Sequence, residues 1–297
     1  MPSFPFMQVD AFADHPLGGN PCAIVFDTDD LDAETMLAVA REMNLSETSF
    51  VRRSQVADFG VRYFTPAEEI PLAGHPTIAT TFALVESGRL PLTGDHTVAT
   101  LELQVGPIKV EIYASGGKVQ RVVMSQKRPT FHHIYDPQTV LPVFGLSPED
   151  VLDGAPIQTV STGTPQLMVP VLSVETLHRI QLDIPAYIRL RAKGDFFSAH
   201  VFCLKGVSDV GDTFARHFVT PPDLVEDPFT GSATGGMGAY LWHYGLIEHP
   251  RFVAEQGHWM GRPGQATVEV VGSASDIETV KVGGAAATII RGELVLD

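Results

Sequence analysis

Two short turns constrain this chain more than any other feature. Residues 71–77 read P-L-A-G-H-P-T and residues 228–234 read P-F-T-G-S-A-T. Each has Pro, then Gly three positions on, then Thr three after that, and each runs into an apolar stretch. Pro71, Gly74, His75 and Thr77 correspond to Pro228, Gly231, Ser232 and Thr234 at an offset of 157 (228 − 71), and Glu69 corresponds to Glu226 at the same offset. Upstream, R-Y-F-T-P from Arg62 echoes R-H-F-V-T-P from Arg216 (offset 154, 216 − 62). Earlier still, G-N-P-C-A-I-V from Gly19 echoes G-T-P-Q-L-M-V from Gly163 (offset 144, 163 − 19). Three matches in one order imply a duplicated unit, two similar domains of roughly 120–150 residues. Lys127-Arg128-Pro129 is the natural crossover.

Each repeated turn opens a helix. The first is expected from Pro76 to Glu86, with Pro76 at the first helical position and Gly88 past its end; the second runs from Ser232 to Tyr244 and is closed by Gly245. Neither has a charged face before its last turn, so each is buried on all sides. Gly235, Gly236 and Gly238 cost helix propensity in the second and suit strands packed close around it. Met7 to Phe26 reads as a hairpin about H-P-L-G-G-N-P, and Asp32 to Met43 as a helix with Asp32 as N-cap. L-S-E-T-S-F-V reads as a strand whose period puts Leu45, Glu47, Ser49 and Val51 on one face. V-R-Y-F, L-E-L-Q-V, I-K-V-E-I-Y and V-Q-R-V-V-M are further strands. The class is α+β, each half a central helix wrapped by mainly antiparallel sheet.

A Gly before a helix start gathers backbone N–H groups at the positive end of the helix dipole, a ready anion site. The donors are Gly74, His75 and Thr77 in the first half, and Gly231, Ser232, Ala233 and Thr234 in the second. Facing each other across a domain cleft, the two starts would grip a carboxylate-bearing ligand from both sides; separately, each is also an ordinary glycine turn with an N-cap. Three side chains stand out for chemistry. Glu47, on an apolar strand face, is either a solvent-facing carboxylate on an edge or a general base and acid in a cleft. His75 is either a structural hydrogen-bonder or a proton-transfer and binding group beside a bound anion. Asp227, before the second turn, is either turn chemistry or a further acid/base group.

The composition narrows the partners. A net charge of −15 and a pI near 5.1 leave no basic excess for nucleic acid or an anionic membrane surface. The N-terminus lacks a cationic stretch before an apolar one, and no apolar run approaches a membrane span, which leads to a cytoplasmic expectation. Cys22 and Cys203 read as reduced thiols. There is no H-E-x-x-H, and His132-His133 lack metal-ligand spacing; G-S-A-T-G-G-M-G is neither a dinucleotide fingerprint nor a P-loop, and Ser232 is in no G-x-S-x-G elbow. No nucleotide, flavin or metal cofactor is expected.

V-D-A-F-(x5)-P-L-G-G-N-P, R-E-M-N-L-S-E-T-S-F-V, F-T-P-(x4)-P-L-A-G-H-P-T and E-D-P-F-T-G-S-A-T resemble, in order, the PhzF-like phenazine-biosynthesis family, nearly end to end. The resemblance implies a diaminopimelate-epimerase-like fold: two β-barrels, each around a central helix, with the active site in the cleft between them. It places residues 283–297 with 1–126 in the first domain and 127–282 in the second. It assigns Glu47 as catalytic acid/base, His75, Asp227 and Ser232 as further active-site positions, and Asn20, Gly74 and Gly231 as ligand contacts. It implies a homodimer and a cofactor-free isomerisation of trans-2,3-dihydro-3-hydroxyanthranilate or a similar small carboxylate. Thiol-dependent epimerases and racemases of this fold carry a Cys before each glycine. Here Ala73 and Thr230 stand there, which turns the proton work toward Glu47. Phe229 stands where a small residue is expected. A non-thiol epimerase and a binding protein without turnover are the competing readings.

Overall fold

The structure is a computed structural model that describes residues 2–296. The chain divides into two compact units. Unit 1 holds residues 1–125, 261–264 and 283–297, and unit 2 holds 126–260 and 265–282. Residues 261–264 thus pack with unit 1 although they lie inside the sequence segment 127–282.

In unit 1, β1 (Ser3–Ala11) and β2 (Asn20–Val25) pair antiparallel from Phe6↔Val25 to Ala11↔Asn20. The loop between them uses left-handed backbone at Leu17 and Gly19, and a Cβ on Gly19 would lie 2.0 Å from the Ala11 carbonyl oxygen, so only glycine fits. Helix α1 (Ala33–Met43) is capped by Asp32, which accepts the Thr35 N–H, and ends at left-handed Asn44. It buries Met36, Val39 and Ala40 against Phe4, Val25, Phe50 and Phe64. β3 (Glu47–Arg52) runs parallel to β2 and antiparallel to β4 (Phe59–Phe64). β4 is antiparallel to the two-residue β5 (Glu69–Ile70). Helix α2 (Gly74–Glu86) follows, buried from Gly74 through Leu84. It packs on β1, β2, β3 and the C-terminal strand Ala286–Val295, which pairs antiparallel with β1. β6 (His96–Leu103), parallel to β4, leads into an antiparallel meander with β7 (Gly106–Ser115) and β8 (Lys118–Ser125).

Unit 2 opens with β9 (Thr130–Tyr135) and a short helix α3 (Pro137–Val140). β9 pairs antiparallel with β10 (Ile157–Ser161), which pairs antiparallel with β11 (Pro165–Pro170). Helices α4 (Val174–His178) and α5 (Ile184–Lys193) then lead to β12 (Ser198–Cys203), parallel to β11. β13 (Thr213–Phe218) is antiparallel to β12 and to the two-residue β14 (Glu226–Asp227), and parallel to β15 (Arg251–Gln256). The order and sense of pairing from β10 to β15 repeat those from β1 to β6. Helix α6 (Gly231–His243) is nearly all buried and packs on β10 and β11. A Cβ on Gly238 would meet Val268 of β16 (Gly264–Ser273) at 2.8 Å and Val280 of β17 (Asp276–Gly284) at 3.3 Å. A Cβ on Gly236 would meet Met168 of β11 at 2.8 Å. The helix glycines trade propensity for close strand approach.

The repeat is also a repeat of ion pairs. Arg62 and Glu69 form a two-pronged pair at 2.7 and 2.7 Å, with the guanidinium over the Phe64 ring; Arg216 and Glu226 do the same at 2.8 and 2.7 Å over Phe218. Each pins the strand–turn–strand that presents a helix start. Both helices begin slightly before the expected residues. Gly74 is the first helical residue of α2 and Pro76 the third, while α6 starts at Gly231. Proline lacks an N–H, so it is tolerated anywhere in a first turn whose N–H groups have no helical acceptor. Among the described residues no helix is long and apolar enough to cross a membrane.

Candidate active site

In unit 1 the strand β3 brings Glu47 to the start of α2. His75 Nε2 lies 3.2 Å from Glu47 Oε2, and His75 Nδ1 lies 3.1 Å from Asn20 Nδ2. The Asn20 amide nitrogen donates, so His75 Nδ1 accepts and the ring proton sits on Nε2, the nitrogen nearer the carboxylate. The imidazole is 4% exposed and the carboxylate side chain 18%, so the base has a path outward while its partner is sealed. Asn20, first residue of β2, is fully buried beside them.

The face of β3 that carries Glu47 is polar, not apolar as the sequence pattern suggests. The strand begins at Glu47, leaving Leu45 outside it. Ser49 accepts a 2.7 Å hydrogen bond from Thr80 of α2, and Tyr63, the partner of Ser49 on β4, meets Thr77 at 2.9 Å. Phe50, on the opposite face, stacks edge-on against Phe64 in the α1 core. Cys22 stands opposite Glu47 in the β2–β3 register. Its thiol is buried, and desolvation first and the Glu47 charge second push its pKa well up, so it is held protonated. Burial likewise raises the Tyr63 hydroxyl.

At the start of α2, Gly74 and His75 present the first two helical N–H groups, and the Thr77 hydroxyl turns back onto the Ala73 carbonyl at 2.7 Å. In unit 2, Gly231, Ser232 and Ala233 occupy the corresponding positions of α6. Thr234 differs from the expectation. Its N–H and its hydroxyl both donate to the Thr230 carbonyl, each at 2.9 Å, so its backbone is spent inside the helix start. Asp227 is buried and its carboxylate accepts the Thr230 hydroxyl; the Gln256 side chain donates to the Asp227 carbonyl at 2.7 Å and accepts the Thr230 N–H at 3.2 Å. Gln126 donates to the Gly231 carbonyl at 2.8 Å and accepts from Thr162. Neither glutamine stands out in the sequence, where each sits among other polar residues at a strand end. Glu47, His75 and Asn20 converge within unit 1, and Asp227, Gly231 and Ser232 lie together within unit 2.

The strand registers also show what replaces Glu47 in unit 2. Cys22 faces Glu47 across β2–β3, and its repeat counterpart Gln166 faces Ser198 across β11–β12. Ser198 therefore takes the place of Glu47, and it donates to Gln166 Oε1. Its hydroxyl is 2.9 Å from His217 Nε2, and His217 Nδ1 is 3.2 Å from His200 Nδ1. Both imidazoles are buried and driven neutral. Desolvation takes His200 down to about 3, and it acts with the neighbouring His200 to bring His217 well below the usual range. Among the described residues no three His, Cys, Asp or Glu side chains converge as metal ligands would.

A family model described as phenazine biosynthesis-like protein matches residues 9–292. The chain is 33% identical to the trans-2,3-dihydro-3-hydroxyanthranilate isomerase of Pseudomonas aeruginosa, over 98% of this chain and 99% of that one. It is 34% identical to an uncharacterised isomerase of Bacillus subtilis over 89% of each. A crystal structure of a Bacillus anthracis phenazine biosynthesis protein of the PhzF family superposes with a TM-score of 0.89 at 31% identity, covering all of both chains. A probable proline racemase from Agrobacterium radiobacter shares the fold alone, with a TM-score of 0.71 at 13% identity, over 99% of this chain and 93% of that one.

Proposed function

Because the chain belongs to the phenazine biosynthesis-like family, a family of isomerases, we propose that it moves a proton between carbons of a small cyclic carboxylate, without a cofactor, with Glu47 as the carrier. The observation that supports this most directly is the Asn20–His75–Glu47 chain. An amide fixes the imidazole tautomer, and the imidazole Nε2 is 3.2 Å from a carboxylate that retains an outward path. A carboxylate held this way is oriented before substrate arrives.

Glu47 takes a proton from a ring carbon, breaking that C–H bond and leaving an enolic system. It then returns the proton to a second ring carbon, so substrate and product are isomers and no oxidant is needed. His75 keeps the carboxylate aligned through its Nε2–H. The N–H groups of Gly74 and His75, beside Glu47, hold the substrate carboxylate, and those of Gly231, Ser232 and Ala233 offer a second set of anion donors. Asp227 orders the start of α6 through Thr230. The substrate class is that of trans-2,3-dihydro-3-hydroxyanthranilate.

The test incubates the protein with this substrate in heavy water and follows deuterium uptake and product formation. Glu47→Gln keeps size and hydrogen bonding but cannot carry the proton, and it should lower exchange by about 10²–10⁴-fold. Unchanged exchange in a folded Glu47→Gln protein would remove Glu47 from the mechanism. Deuterium uptake with inversion at a single carbon, and no shift along the ring, would favour a non-thiol epimerase.

A further inference from the structure

Asp10, one residue before the end of β1, has its side chain fully buried, and nothing in the proton-transfer reading uses it. Its carboxylate is bound from two sides. Oδ1 accepts Arg262 Nη2 at 2.6 Å and Oδ2 accepts the Leu17 N–H at 2.8 Å. The same guanidinium also donates to the backbone. Nε reaches the Gly19 carbonyl at 2.9 Å and Nη2 reaches that of Gly18 at 2.8 Å. The Gly19 N–H in turn donates to the Pro263 carbonyl at 2.9 Å. Residues 261–264 thus strap the loop that delivers Asn20, and both glycines in it are obligatory, because a Cβ on Gly18 would meet the Pro263 carbonyl at 2.8 Å. Asn20 follows directly, and its amide is on His75 Nδ1.

We propose that Asp10 and Arg262 are positioning residues. Together they fix the Gly18–Gly19 backbone, and so the Asn20 amide, and so the Nε2–H tautomer of His75 that faces Glu47. One planar donor group satisfies a buried carboxylate and two successive carbonyls, which a lysine ammonium cannot do with the same geometry. Removing it leaves a buried carboxylate without its cation and two carbonyls without donors. The loop then relaxes and the amide moves. The effect on turnover rests on the reading of Glu47 and His75 as the acid/base pair; the effect on the tautomer does not.

The experiment is ¹⁵N imidazole spectroscopy of the whole protein above neutral pH, with His75→Gln identifying the His75 signals. Wild type should show an unprotonated Nδ1 and a protonated Nε2. Arg262→Lys and Asp10→Asn should move both nitrogens toward the averaged shifts of mixed tautomers. Asn20→Ala should do the same with the strap intact. In parallel, kcat for substrate isomerisation should fall, up to about 100-fold, in Arg262→Lys, with KM changed far less. Arg262→Lys and Asp10→Asn are mild enough to keep the fold where Arg262→Ala fails. Wild-type tautomer signals in either folded variant would overturn the proposal. If wild type exchanges no proton with substrate while the variants still scramble the tautomer, the isomerase reading falls and the positioning role stands.

Discussion

Gly235→Ala should destabilise unit 2, although replacing glycine inside a helix ordinarily adds about 1 kcal/mol. The reason is Gln126. A Cβ at position 235 would lie 1.9 Å from Gln126 Oε1 and 2.6 Å from its Nε2. That amide is buried and anchored at both ends, donating to the Gly231 carbonyl at 2.8 Å and accepting from Thr162. It cannot stay. Expelling it loses two hydrogen bonds at about 1 kcal/mol each and leaves buried polar atoms unpaired at about 1–3 kcal/mol. Thr162 offsets part of this, because its hydroxyl already lies 3.4 Å from the Ser232 carbonyl. Set against the propensity gain, the net loss is about 2–3 kcal/mol. Urea unfolding measures it as a lower midpoint at unchanged slope. The decisive comparison is made in the Gln126→Ala background. There the obstruction is gone, and Gly235→Ala should become stabilising by about 1 kcal/mol, a coupling of about 3–4 kcal/mol. Equal destabilisation in both backgrounds would refute the argument. It would place the need for glycine in the helix backbone or the strands, not in the amide lying on it.

Acid should loosen unit 2 before carboxylate protonation does. His200 titrates near 6.5 unfolded and about 3 folded, so its stabilisation is complete above pH 6.5 and is lost as pH falls toward 3. At pH 5 the loss from this one group is about 2 kcal/mol. His217, shifted in the same direction, adds to it. The urea midpoint measured from pH 7.5 to 5 should fall in wild type and flatten in His200→Phe; parallel curves would show that the buried pair does not titrate on unfolding. Both thiols should resist a disulfide reagent at pH 8, since burial raises the Cys203 pKa to about 11 and pushes that of the sealed Cys22 well up too. Rapid reaction of either thiol in the native protein would contradict that placement, whereas reaction on unfolding should release both.

Much of this fold is legible in the sequence because its signals are local. Asp32 caps α1 at the predicted place, and Gly88 and Gly245 take the left-handed backbone that closes the two buried helices. The start of α2 lies earlier than the sequence suggests, because a proline in the first turn marks the turn but not its first residue, and α6 starts one residue early at its glycine. The polarity of the Glu47 face is hidden for a different reason. Period two shows only neighbours on the same strand, whereas the groups that make the face polar, Tyr63 and Thr80, arrive from β4 and α2. Distance in sequence hides the remaining supports. Gln126 reaches Gly231 across 105 residues, and Asp10 meets Arg262 across 252. A lone buried Asp and an Arg in G-R-P-G carry no pattern that pairs them.

The duplication itself separates architecture from chemistry. What the two halves share is what builds a helix start: the Arg–Glu pair over a Phe ring, the glycine at the first helical residue, and the threonine turned onto the preceding carbonyl. What they do not share is every group able to carry a proton. Glu47 becomes Ser198, His75 becomes Ser232, and Tyr63 becomes His217 in a neutral, buried pair. A symmetric two-base mechanism needs equivalent acids on both copies; the second copy keeps the glycine helix start but has Ser198 in the place of Glu47, and its own carboxylate, Asp227, is bound to the Thr230 hydroxyl. The asymmetry therefore fits the single carrier proposed above better than a symmetric pair of bases.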